Sequence, residues 1–296
     1  KNEDFLSNQL DILYNLKYNV SNSQDPTDND INHLNNDIFY FTKQVDESTI
    51  DNIIRNKITK VSFHNTKINE TILNILLKKT NNIEYLDLSN NILNFKKLAD
   101  VLIDNKTIKD LSLNGSHINS EQLIYLIYIL NSNNSIENIN FENCDMITSN
   151  FIILNNFIKQ INNLSKLNLN LISTEENYDI CKNFMKLLFV NLNGNTTLKD
   201  LSLQENQLDD NDAELISIML EINNTLEKLD LSYNKFTKTG ICKILNAIIN
   251  NDNSGIKKIN FVSEEYYIEL EEESSTKLKD TLVDYYEDFM EQVMSN

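Results

Sequence analysis

The chain has 296 residues, a formal net charge of −18 and an isoelectric point near 4.5. Binding to nucleic acids needs Lys and Arg to displace counterions from phosphates, so this acidic balance argues against it. The longest apolar run, LIYLIYIL, is far shorter than a membrane-spanning helix. Three irregularly spaced cysteines do not form a disulfide framework, and they predict a cytoplasmic, reducing compartment.

Residues 1–57 are predicted to form an N-terminal helix and a capping half-repeat. Leucines recur at helical spacing between residues 6 and 16, ahead of the turn-rich segment SNSQDPTDND. Phe39 and Phe41 then predict a strand, and isoleucines between residues 50 and 54 predict a short helix. Because a repeat array exposes its core at each end, we expect this half-repeat to cover the first full unit.

Eight similar units follow between residues 58 and 263. Each opens with the pattern aliphatic-x-x-aliphatic-x-aliphatic, as in Ile83, Leu86 and Leu88, which predicts a short strand with one buried face. The second half of a unit, such as residues 120–131, has apolar residues at helical spacing. One strand and one helix cannot bury a core alone, so the units must stack. They begin at Ile58, Ile83, Ile108, Ile136, Leu164, Leu198, Leu226 and Ile256.

Asparagine recurs three residues after the last strand aliphatic, at Asn91, Asn206 and Asn234, and Cys144 occupies the same place in another unit. An amide at this position is predicted to turn inward and to satisfy backbone groups of adjacent coils. Several N-x-S/T tripeptides also occur, for example at Asn105. In a chain so rich in asparagine, we expect these tripeptides to arise by chance.

These units resemble leucine-rich repeats of the ribonuclease-inhibitor type, L-x-x-L-x-L-x-x-N-x-L followed by a helix. The resemblance covers residues 58–263. It implies an α/β solenoid (horseshoe) with parallel strands on the concave face, helices on the convex face and helical caps at both ends. The units from Leu164 and Ile256 depart from the pattern, the first in length and the second by carrying Glu264 at the asparagine position.

Residues 264–296 are predicted to form an acidic C-terminal capping helix. Leu278, Leu282, Tyr285, Phe289 and Val293 recur at helical spacing there. Eleven acidic residues and two lysines give this segment half of the net charge of the chain. The outer face of such a cap is an alternative binding surface for a basic partner.

The sequence contains no recognisable catalytic motif. Cys144 and Asp145 faintly resemble the Cys-x-Asp of bacterial ubiquitin ligases that carry leucine-rich repeats. However, Cys144 stands at the asparagine position of a repeat, which predicts a small buried core residue. We therefore predict a protein that is not an enzyme and that uses no cofactor and no metal.

The exposed strand positions of the predicted concave face are polar, short and mildly acidic. Tyr85 and Tyr233 are the predicted anchors, because aromatic residues are enriched among those that carry binding energy. Acidic neighbours would favour a basic protein partner. The predicted partner-binding residues are Tyr85, Asp87, Asp110, Glu142, Asp200, Glu205, Asp230 and Tyr233.

The resemblance to leucine-rich repeats implies protein–protein recognition, and we expect a monomer. The Asn-, Ile- and Lys-rich composition is similar to that of repeat proteins that intracellular bacterial pathogens inject into the host cytosol. This similarity implies an effector acting on a host protein. Two alternatives remain, a regulator of a small GTPase similar to the Ran GTPase-activating proteins and a tropomodulin-like cytoskeletal binder. In the second alternative, residues 3–19 would be the actin-binding helix.

Overall fold

A computed structural model describes residues 38–40, 47–68, 70–146, 148–160 and 163–294, which belong to one compact unit. The helix predicted before residue 37 and the strand residue Phe41 lie outside the described residues. The strands are β1 (Ile38–Tyr40), β2 (Lys60–Ser62), β3 (Tyr85–Asp87), β4 (Asp110–Ser112), β5 (His117–Ile118), β6 (Asn138–Asn140), β7 (Asp145–Met146), β8 (Lys166–Asn168), β9 (Asp200–Ser202), β10 (Lys228–Asp230), β11 (Lys258–Val262) and β12 (Tyr267–Glu271). The helices are α1 (Glu47–Arg55), α2 (Glu70–Lys79), α3 (Phe95–Leu102), α4 (Ser120–Ser132), α5 (Thr148–Gln160), α6 (Tyr178–Leu192), α7 (Asp210–Ile222), α8 (Lys238–Asn250) and α9 (Ser275–Met294).

One sheet runs the length of the described unit in the order β1-β2-β3-β4-β6-β8-β9-β10-β11-β12. All neighbours from β1 to β11 are parallel and aligned without any shift, so that Tyr85 pairs with Asp110 and Asp110 with Asn138. Short strands β5 and β7 form a second parallel pair. The described coils therefore stack as a solenoid with one strand and one helix each, as the sequence predicts.

The core is a stack of aliphatic layers between the strands and the helices. In β3 the central Leu86 and the following Leu88 are fully buried, and the equivalent residues of the other described coils are buried too. Burying a leucine contributes about 1.5–3 kcal/mol, so the repeated pattern supplies the driving force for stacking. The N-terminal half-repeat joins this stack, since Phe39 pairs with Val61 and Ile50 and Ile53 are buried.

An inner row of asparagines links successive coils, as predicted. The Asn206 side chain is buried; its Nδ2 donates to Leu169 O at 2.7 Å and its Oδ1 accepts from the amides of Ile172 and Ser173. Asn91 and Asn234 make equivalent bonds. Each amide thus satisfies backbone groups that would otherwise be buried without partners.

A second row of asparagines lies where several of the helices end, and several of the N-x-S/T tripeptides begin at these positions. Asn133 is fully buried: its Oδ1 accepts from Ser135 N and Ile136 N, and its Nδ2 donates to Leu102 O and Asn105 O. The residue two positions after the asparagine donates its backbone amide, which a Ser or Thr is not needed to supply, since Asn253 N donates to Asn251 Oδ1 in the same way. The same arrangement occurs at Asn105, Asn195 and Asn223.

The C-terminal end is closed by a hairpin and a helix. β12 pairs antiparallel with β11, a strand that the sequence analysis missed, and the unit from Ile256 is therefore not a complete repeat. Helix α9 then buries Leu278, Leu282 and Phe289, and Lys279 Nζ donates to the Asn251 carbonyl at the end of α8. The predicted capping helix is thus present, together with an added strand at the edge of the sheet.

Candidate protein-binding face

The strand face is the exposed side of the parallel sheet, the side that the sequence predicts to be concave. Its first row consists of the residue just before the buried centre of each strand, and the in-phase register aligns one such residue per coil. The first row is Lys60, Tyr85, Asp110, Asn138, Lys166, Asp200, Lys228 and Lys258. Of this row, only Tyr85, Asp110 and Asp200 were predicted from the sequence as binding residues, and the lysines were not.

The middle of the first row lines an open groove of about 260 Å³, whose walls include Tyr85, Asp110, Asn138, Lys166 and Asp200. Asn138 Nδ2 donates to Asp110 Oδ1 at 2.6 Å, which holds that carboxylate in place. Small-molecule pockets are enclosed and larger, roughly 300–1,000 Å³. An open groove of this size is suited to side chains presented by another macromolecule.

The charges of the groove are mixed rather than mildly acidic. Asp200 pairs in register with Lys166 on one side and with Lys228 on the other. Burial raises the pKa of the Asp200 carboxyl, and the neighbouring lysines oppose the shift. Farther along, Lys228 and Lys258 both contact Glu271 of β12, at 3.3 and 3.0 Å. Acidic and basic side chains are therefore mixed along the first row.

Two of the predicted binding residues, Asp87 and Asp230, form hydrogen bonds to neighbouring coils. Asp87 is only 7% exposed; its carboxylate accepts from Ser62 Oγ at 2.6 Å and from Ser89 N at 2.9 Å. Asp230 is half-buried and accepts from Gln204 Nε2 and Asn260 Nδ2. The expectation that Asp87 is exposed was wrong, and Asp230 is only partly exposed, because these two side chains bond to backbone amides and to polar side chains of adjacent coils.

The remaining predicted residues lie at the carboxyl ends of the strands. Glu142 is half-buried, and its Oε2 accepts from Asn168 Nδ2 at 3.1 Å. Glu205 is exposed, and Tyr233 is 55% exposed. Tyr85 and Tyr233, the two predicted anchors, are five strand spacings apart, or about 24 Å. The structure therefore separates them into two clusters.

Cys144 has no access to a substrate. Its thiol is buried and donates to Leu113 O at 3.2 Å. Burial, reinforced by the charges of Glu142 and Asp145, raises the pKa of this thiol to about 12. The thiolate is the nucleophilic form of cysteine, so burial disfavours the reactive form of Cys144, which packs as a core residue, as predicted.

The coils, their asparagine rows and their registered strands define a leucine-rich repeat fold. No protein-family model and no curated protein matches the chain. Among the helices of the described ranges, none has both the length and the apolar character that crossing a bilayer requires.

Three solved structures are similar to the chain. The leucine-rich repeat-containing protein LegL7 from Legionella pneumophila is 13% identical, with a TM-score of 0.45 over 79% of this chain and 92% of that one. TLR13, solved in a TLR13–ssRNA13 complex, is 15% identical, with a TM-score of 0.40 over 69% of this chain and 32% of that one. Leiomodin-1 actin-binding site 2 is 14% identical, with a TM-score of 0.29 over 68% and 86%. The chain thus spans about a third of the TLR13 chain.

Proposed function

We propose that this protein binds a partner protein through its strand face. The observation that carries the proposal is the groove of the first row, where Tyr85, Lys166 and Asp200 project from a rigid sheet and line an open surface. These side chains lie outside the apolar core that holds the coils together. Aromatic and charged side chains held on a rigid sheet are typical contact residues of protein interfaces.

The finer proposal is that the partner is a host protein and that this chain is a bacterial effector acting in the host cytoplasm. Its support is the similarity in composition to such effectors. The cysteines Cys144, Cys181 and Cys242 are free and buried, which is compatible with a reducing compartment. Capture of the partner from eukaryotic cytosol but not from bacterial lysate would support this proposal.

The test is affinity capture with matched variants. The groove variant carries Tyr85→Ala and Lys166→Ala, and the control carries Tyr128→Ala and Leu187→Ala on the exposed outer side of α4 and α6. We expect one protein to be retained by the wild type and by the control and to be lost by the groove variant. Equal retention by all three proteins would place binding elsewhere and refute the proposal.

The partner's identity also distinguishes the two alternative functions. Capture of a small GTPase, followed by a change in its rate of GTP hydrolysis, would indicate a regulator. Capture of actin would indicate a cytoskeletal binder. In that case the segment 3–19 becomes the first candidate for truncation.

A further inference from the structure

A row of left-handed backbone positions follows the strands, one per coil. Most L-amino acids avoid this conformation, whereas glycine adopts it freely and asparagine tolerates it. The amide of each such residue donates to a carbonyl of the next coil, as Glu205 N does to Ser232 O at 3.2 Å. This turn row is Asn65, Asn90, Gly115, Asn143, Leu171, Glu205 and Tyr233, with φ between 53° and 66°.

The turn row changes character along the solenoid. Its first four positions carry asparagine or glycine, the residues that suit the conformation best. The next three carry Leu171, Glu205 and Tyr233, each with φ of 56°. Strained backbone at neighbouring positions indicates a function when the side chains at these positions are exposed to solvent. Here Glu205 is exposed and Tyr233 is 55% exposed.

Two carboxylates of this region, Glu142 and Glu205, lie on coils separated by one intervening coil, and neither has a cationic partner within the described residues. Burial, followed by the charge of Glu142, raises the pKa of Glu205. Neither residue forms a salt bridge with any described lysine or arginine; Glu142 instead accepts from the amide of Asn168. A positive charge brought between them would be attracted by both.

Two exposed tyrosines lie at the same end of the sheet. Tyr233 N donates to Val262 O at 2.6 Å, and Val262 pairs with Tyr267 in the terminal hairpin. Tyr267 is 72% exposed, and its hydroxyl donates to Glu269. Tyr267 was not predicted from the sequence, because the hairpin that carries it departs from the repeat pattern. The ring faces of Tyr233 and Tyr267 offer apolar surface and a site for a cation.

We propose that the turn-row patch, comprising Glu142, Leu171, Glu205, Tyr233 and Tyr267, binds a basic segment of the partner protein. A Lys or Arg of that segment contacts the two carboxylates, and apolar residues beside it pack on Leu171 and the tyrosine rings. Arginine suits both halves of the patch, since its guanidinium pairs with carboxylates and stacks on aromatic faces. The net charge of −18 adds long-range attraction for such a segment. This inference rests on the proposed function and adds the chemistry of the partner.

The test selects short random peptides displayed on phage against the intact wild-type chain. Each enriched peptide is then titrated by fluorescence anisotropy against a patch variant, Glu142→Gln with Glu205→Gln. The control removes the same charge from the exposed side of α9, with Asp284→Asn and Glu287→Gln. We expect enriched peptides to contain Lys or Arg next to apolar residues. Their affinity should fall about tenfold in the patch variant and change little in the control.

Several results would overturn this inference. Enrichment of peptides without basic residues, or of none, would refute the partner chemistry. An equal loss of affinity in both variants would show attraction to net charge alone. Self-association of the wild type in sedimentation equilibrium, abolished in the patch variant, would identify a second copy as the occupant. A captured partner that the groove variant loses and the patch variant keeps would refute this inference and leave the proposed function standing.

Discussion

The inner asparagine row predicts a large stability loss when a single amide is removed, and Asn206→Ala is the sharpest case. Asn206 is buried, and its side chain bonds to four backbone groups, the amides of Ile172 and Ser173 and the carbonyls of Leu169 and Gln204. Each buried group left without a partner costs about 1–3 kcal/mol, less where water enters the vacated space. We therefore expect the free energy of unfolding to fall by about 3 kcal/mol.

The assay is urea unfolding followed by circular dichroism at the helix band. With an m-value of about 3 kcal/mol/M, the midpoint should fall by about 1 M. Asn156→Ala is the matched control, because Asn156 is exposed on α5, and its effect should stay within about 0.5 kcal/mol. If Asn206→Ala were no more destabilising than Asn156→Ala, the inner row would not be holding the coils together.

Three further predictions concern other parts of the fold. Lys182 pairs with Asp209 and with the fully buried Asp212, so Lys182→Met should cost about 3 kcal/mol. Adding Asp212→Asn should restore much of that loss in urea unfolding, and an unchanged loss would contradict a role for the buried charge. Glu205→Asn should stabilise the chain by about 0.5–1 kcal/mol, since asparagine tolerates the left-handed conformation, while weakening binding of basic peptides. Any destabilisation in the same assay would count against strain at this position. Cys144, whose pKa burial raises to about 12, should resist a thiol-modifying reagent until urea unfolds the chain, and rapid labelling of the native protein would contradict this.

The repeat pattern predicts most of the described fold because the pattern and the core have the same physical cause. Aliphatic residues at the positions of Leu86 and Leu88 recur in each coil, and each pair has to be buried against the next. The terminal hairpin was not predicted from the sequence. Strand β12 carries YIELE, a segment whose pairing depends on the edge that β11 leaves open rather than on any local repeat.

The binding face was predicted less completely than the fold. The same spacing that pointed to Asp200 also marks Lys166 and Lys228, so the mixed charge of the groove was readable from the sequence. The burial of Asp87 could not be predicted from the sequence, because it follows from a hydrogen bond to Ser62 on the adjacent strand. Left-handed backbone at Leu171 and Glu205 likewise depends on the loop geometry and has no signature in the residue types.

The asparagine-rich composition has a structural explanation that the sequence already contained. Asn105, Asn133, Asn195 and Asn223 each begin an N-x-S/T tripeptide, and each stands three residues before the first aliphatic of a repeat. That fixed distance indicates a role within the coil. Two asparagine rows, one after the strands and one after the helices, thus satisfy the backbone at both bends of the coil.

The most direct test of the central claim is the affinity of the captured partner, once purified, for the groove variant Tyr85→Ala/Lys166→Ala. Truncating contact residues at the centre of an interface costs about 2 kcal/mol or more, which corresponds to roughly thirtyfold in Kd. Calorimetric titration should therefore show a loss of at least this size in the groove variant and an unchanged Kd in the Tyr128→Ala/Leu187→Ala control. An unchanged Kd in the groove variant, with loss in the control, would place the binding surface on the helices and contradict the account.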